Sequence, residues 1–229
     1  MTTCTADDLE LARSILACPA EVELVVDGHP HVGADSRLGL RDDAGTPTFW
    51  CRPGSLMAQA AAEGSSALVT FASGVGPAGS PERRATLTVA GRLSSRDTAA
   101  CACCGELRLD VGLDLDFVVL QRDGAQVRVP LRAFRSPDLV LNRGYLQRSM
   151  EHANDCHRED LAQVVARTTG TPVEQLLDVS LTDLTAHGAE LGWIDTRGAH
   201  RTSLWFSRPA RTAEELGLLL RHELHAGIC

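Results

Sequence analysis

Hydrophobic and polar positions recur along this chain with two different periods, and the change from one to the other divides it. Thr5 followed by Asp8 is a capping-box signature, and Leu9, Ala12, Ile15 and Leu16 then fall on one face until Pro19, which predicts a short packing helix. The period next becomes two. Val22, Leu24 and Val26 alternate, Asp27-Gly28 turns, and His29-Pro30-His31-Val32 opens a further extended run. Strands are expected over 37–41 and 48–51 around a turn at 42–45, then a short helix from Leu56 to Ala62 after Pro53-Gly54-Ser55. Residues 66–71 and 85–89 read as strands either side of the Gly- and Pro-rich loop 74–82. Residues 117–120 and 126–129 flank a turn at Asp123-Gly124. Six or seven short antiparallel strands in this space predict a barrel, the arrangement that removes exposed edges.

Beyond Pro137 the spacing turns helical. One helix is expected over about 141–152, and Asn154 is positioned to cap a second that carries Leu161, Val164 and Val165 and stops at Gly170. Thr171-Pro172-Val173-Glu174 reads as another capping box. Two strands, about 184–195 and 200–206, meet at Thr196-Arg197-Gly198, and His187 and His200 are expected to be cross-strand neighbours with a structural role. Thr212-Ala213-Glu214-Glu215 starts a last helix bearing Leu216, Leu219, Leu220 and Leu224. The expected organisation is therefore α+β: an antiparallel barrel domain over residues 1–137 and a smaller α-α-β-β-α domain over 138–229.

Composition narrows the chemistry. With 44% hydrophobic residues over 229 positions, a globular protein is expected rather than disorder. A formal charge of -8 with no basic run argues against a nucleic-acid surface. No stretch approaches the length of a membrane span and the N-terminus has no basic region followed by an apolar core, so a cytoplasmic protein is expected. In that compartment the 8 cysteines are expected as reduced thiols, and Cys101, Cys103 and Cys104 form a cluster without the second CxxC pair of a structural zinc site. There is no Gly-x-Ser-x-Gly elbow, phosphate-binding Walker loop or dinucleotide fingerprint, and no paired nucleophile and base is visible.

Three stretches, His152-x-Asn154-x-x-His157, Trp193-Ile194-Asp195 and Phe206-Ser207-Arg208-Pro209 before the acidic start of the final helix, resemble the haem-utilisation group of split-barrel proteins. In that family a barrel of the pyridoxamine-phosphate-oxidase, FMN-binding type precedes a small C-terminal α/β domain. The chain departs from the family in two places. Cys156 stands where an acidic residue usually precedes the second histidine, and Val129-Pro130-Leu131-Arg132-Ala133-Phe134 replaces the Gly-Phe-Gly of haem-degrading members.

The resemblance implies a homodimer that handles haem or its iron, with haem at the dimer interface and a histidine of the C-terminal tail on iron. His222 and His225 are the corresponding candidates here, and His152 and His157 are further cofactor candidates that also serve as helix-junction residues. Arg37, Arg52 and Ser55 loosely match the segment that cradles the FMN phosphate in flavin-binding relatives, which keeps a flavin- or deazaflavin-dependent oxidoreductase open as an alternative. A cofactor-free regulatory module is the third reading. It would contact a protein partner through the C-terminal domain, as a plant relative does with an enzyme of tetrapyrrole synthesis.

Overall fold

The computed structural model describes residues 3–32, 39–100 and 106–224, and the chain divides into two compact units at Gly144/Tyr145. Arg37, Cys101, Cys103, Cys104 and His225 lie outside the described residues. The architecture is α+β, with a curled antiparallel half-barrel sheet and several helices.

In the first unit, helix α1 (Ala6–Ala17) starts at the expected capping box. Asp8 N donates to Thr5 Oγ1 at 3.2 Å and Thr5 N donates to Asp8 Oδ2 at 3.0 Å. The strands are β1 (Pro19–Val26), β2 (Gly39–Asp43), β3 (Thr46–Cys51), β4 (Ser66–Ser73), β5 (Thr86–Ala100), β6 (Leu107–Arg122) and β7 (Ala125–Val129). They pair in the order β1-β4-β5-β6-β3-β2, and β7 also pairs with β6. Two-residue turns join β2 to β3 and β6 to β7, with positive φ at both central positions: Ala44 and Gly45 in one, Asp123 and Gly124 in the other. Such turns match the right-handed twist of the strands they connect. Helix α2 (Leu56–Glu63) is capped by Ser55 and ends on left-handed Gly64.

Alternation along β4 and β5 puts Ala67, Val69, Phe71, Leu87, Val89 and Leu93 into one core with Val111, Leu113 and Leu120 of β6. Ile15 and Leu16 of α1 and Met57 of α2 pack into the same cluster. The Arg13 side chain is buried there, 1% exposed, and donates to Asp42 Oδ2 at 2.7 Å and to the Phe134 carbonyl at 2.8 Å. Asp42 in turn accepts from Gly45 N at 2.6 Å and so holds the β2–β3 turn. Phe134 belongs to a single helical turn, α3 (Leu131–Phe134).

The second unit holds α4 (Arg143–Cys156, of which Tyr145 onward lies in this unit), α5 (Arg158–Thr169), a three-stranded sheet of β8 (Asp178–Leu184), β9 (Gly188–Asp195) and β10 (Gly198–Trp205), and α6 (Ala213–Leu224). Its core takes Leu161, Val164 and Val165 from α5, Leu181 and Leu191 from the sheet, and Leu216 from α6.

Several sequence expectations are corrected. His29–Val32 is a tight turn closed by His29 N to the Val26 carbonyl and Val32 N to the His29 carbonyl, because Pro30 supplies no donor for a strand ladder. Asn154 does not cap α5. It lies inside α4, and His157 is the residue at the cap. Thr171-Pro172-Val173-Glu174 yields only a 3₁₀ turn over Val173–Gln175, since Leu177 N already bonds the Ile194 carbonyl and draws the chain into the sheet. The single strand expected over 184–195 is two, broken where Thr185 Oγ1 accepts from His187 N and Gly188 N. His187 therefore sits on a turn, and the residue opposite His200 is Trp193.

Candidate functional site

The β9–β10 hairpin gathers an aromatic, a buried acid and an imidazole. Its two-residue turn, Thr196-Arg197, sets the register that puts His200 across from Trp193, and Asp195 lies two residues along β9 on the same face as Trp193. The Trp193 and His200 rings stack with centroids 5.2 Å apart and planes 20° from parallel. His200 Nε2 lies 2.9 Å from Asp195 Oδ1, and the Asp195 side chain is 1% exposed. Asp195 also accepts from Arg197 N at 2.7 Å and from Arg197 Nη2 at 3.0 Å.

Burial alone would push the Asp195 carboxyl up, but the hydrogen bonds from His200 and from the backbone and guanidinium of Arg197 outweigh it and hold the group at about 2. An ionised carboxylate only accepts, so its contact assigns the ring hydrogen of neutral His200 to Nε2 and leaves the lone pair on Nδ1. The side chain of His200 is 33% exposed, so the imidazole is reachable while its acid partner is not. Trp193 Nε1 is buried without a partner among the described residues. An imidazole fixed in orientation and tautomer by a buried carboxylate is the arrangement that histidine ligands of metals commonly use.

A folded-state value below the ordinary ~3.9 of an aspartate means that Asp195 stabilises the fold fully above that value, and that this stabilisation is lost as pH falls through about 2. The expected result is a difference in urea stability between the protein and Asp195→Asn that shrinks between about pH 4 and pH 2. A pH-independent difference would contradict the geometry.

His152 and His157 meet edge to face at 5.3 Å where α4 gives way to α5. His157 Nδ1 lies 3.2 Å from Asp160, and its Nε2 is buried with no partner among the described residues. Between them in sequence, Asn154 turns its amide onto β8, donating to the Leu181 carbonyl at 2.9 Å and accepting from Leu181 N at 2.7 Å. His222 stands exposed near the end of α6, 3.3 Å from Glu223. No group of three metal-ligating side chains exists among the described residues.

For the phosphate cradle, Arg52 Nε is engaged by Glu106 at 2.5 Å, and the Ser55 hydroxyl is occupied as the cap of α2, 3.3 Å from Ala58 N. Arg52 and Ser55 are thus each engaged by a structural partner. Sequence alone pairs His200 with His187 in a structural role, because its value depends on a register that places Trp193 opposite it; the Asp195-to-His200 spacing across a short turn is the available signal.

The chain matches no protein-family model and no curated protein sequence. Among solved structures it aligns with a haem-binding protein from Mycobacterium smegmatis at 15% identity, over 98% of each chain, with a TM-score of 0.41. It also aligns with a protein of unknown function from Agrobacterium tumefaciens str. C58 at 17% identity, over 97% of this chain and 98% of that one, with a TM-score of 0.40.

Proposed function

We propose that this chain is a haem-binding protein of the split-barrel haem-utilisation type, engaged in holding or delivering haem or its iron, with His200 as the iron ligand. Family membership and homodimerisation belong to this proposal. The observation that carries it is the His200 imidazole seated on buried, ionised Asp195. Bound haem would supply an iron centre that a histidine nitrogen can ligate, and His200 is the residue that would hold it. The protein's part is to keep that nitrogen aimed and partly dry: Asp195 orients the ring through Nε2, Arg197 donates to Asp195, and Trp193 covers one face of the imidazole. His222 lies at an exposed helix end, 3.3 Å from Glu223.

Haemin titration of the full chain, followed by absorbance, tests this. A saturable Soret shift is expected, lost in His200→Ala, retained in His222→Ala, and weakened about 10- to 100-fold in Asp195→Asn, the usual cost of losing a carboxylate behind a ligand histidine. Unchanged haem uptake by His200→Ala would remove the proposed ligand. Absence of any Soret shift together with tight FMN uptake would replace haem handling by the flavin-dependent alternative.

A further inference from the structure

In the first unit, one arginine lies apart from the ion pairs around it. Gly39, Trp50 and Arg108 stand on one face of β2, β3 and β6: Gly39 is opposite Trp50, Trp50 is opposite Asp110, and Arg108 is two residues before Asp110. The Trp50 indole lies so close over Gly39 that a Cβ there would fall 1.5 Å from Trp50 Nε1, so only glycine fits. The Arg108 guanidinium carbon sits 4.2 Å from the centroid of the indole, a cation–π distance.

The neighbouring arginines are each taken up by an acid. Arg41 pairs with Asp110 at 2.6 Å, Arg52 with Glu106 at 2.5 Å, and Arg96 with Asp114. Arg108 has no carboxylate among the described residues, and its Nε is buried without an acceptor. In a chain of net charge -8, an acid for Arg108 would have been easy to supply. A buried donor left without an acceptor is destabilising, so its retention calls for a partner.

We propose that Arg108, held against Trp50, is an oxyanion-binding residue that takes the carboxylate or phosphate group of a small molecule. A guanidinium is a planar fork that donates two parallel hydrogen bonds to such a group, and partial desolvation by the indole strengthens them. Trp50 fixes the plane of the fork, and Gly39 allows Trp50 to lie flat. The paired arginines flank the site without competing for the ligand, because their own acids occupy them. This site is independent of the haem reading, since it shares no residue with the β9–β10 hairpin.

The test is calorimetric titration of the full chain with inorganic phosphate and, separately, with succinate, in a buffer containing neither. Saturable binding of at least one probe is expected, and which one binds tells phosphate from carboxylate. Binding should weaken at least ~10-fold in Arg108→Gln, weaken less in Arg108→Lys, which keeps the charge and loses the fork, and stay within about twofold in Arg96→Gln. Circular dichroism and urea melts establish that each variant is folded, and Arg108→Lys decides the matter if Arg108→Gln is not. Failure of both probes to saturate by about 10 mM, or equal binding by a folded Arg108 variant, overturns the proposal.

Discussion

Replacing Arg13 with Met is expected to destabilise the first unit by about 3–5 kcal/mol, the usual penalty for removing one partner of a buried ion pair. Arg13 is 1% exposed and the Asp42 side chain 9% exposed, so neither charge is relieved by solvent when the other is taken away. Methionine fills a similar length and preserves most apolar contact, which isolates the electrostatic part of the loss. Three connections disappear together: the bond to Asp42, the bond to the Phe134 carbonyl, and the guanidinium packed 5.6 Å from the Phe134 ring centroid. Because Asp42 also receives the amide of Gly45, the β2–β3 turn should loosen as well. Urea unfolding provides the measurement. A companion Asp42→Asn change in the Arg13→Met background should recover part of the loss by removing the stranded charge. A shift below about 1 kcal/mol would mean that water reaches Asp42.

Asn154→Ala is expected to cost the second unit about 2–4 kcal/mol, since it strips two backbone groups of their partners at roughly 1–3 kcal/mol each when they remain buried. β8 is an edge strand, with β9 on one side only. At Leu181 the outward N–H and carbonyl both meet the Asn154 amide, which acts there as one residue of a missing neighbouring strand. The ladder to β9 shifts register just beyond this point, between Leu181 and Asp183, so the contact also secures a bulge. Asn154→Asp keeps the acceptor for Leu181 N but presents an oxygen to the Leu181 carbonyl, and should recover little. Hydrogen exchange at the Leu181 amide, accelerated in Asn154→Ala with the remaining β8 amides less affected, would locate the effect. Equal stability of the two proteins would contradict it.

These cases show what could be read from residues alone. The capping boxes at Thr5 and the cap at Ser55 are local devices, and the sequence carried them because donor and acceptor lie within three residues of each other. The buried faces of β4 and β5 were legible for the same reason, as strict alternation. The length of β5 and β6 was not. Strand residues such as Arg96, Asp97 and Asp114 are exposed and charged, so the hydrophobic pattern fades well before the hydrogen-bond ladder does. Asn154 was misassigned because helix capping is its commonest use, whereas its partner here lies 27 residues away. The same holds for the candidate site. Trp193 and Asp195 drew notice as a motif, but His200 gains its meaning from a cross-strand register that no local spacing encodes.

Strand β6 has a consequence for how the first unit comes apart. One of its edges is paired with β5 along nearly its whole length, while the other is shared, with β3 bound over Leu109–Gly112 and β7 over Val118–Arg122. The two branches of the sheet thus meet in a single segment of main chain, and neither can detach without exposing that segment to solvent. Opening of the β6 amides over 112–122 should then require the whole unit to open, giving the slowest-exchanging protons of the unit and a common free energy for both branches. The outer part of β5, Ser95–Ala100, is exposed and lies on the far side of the break in register at Ser95/Thr98. It is free to fray on its own, on a timescale far shorter than that of the hub it extends from.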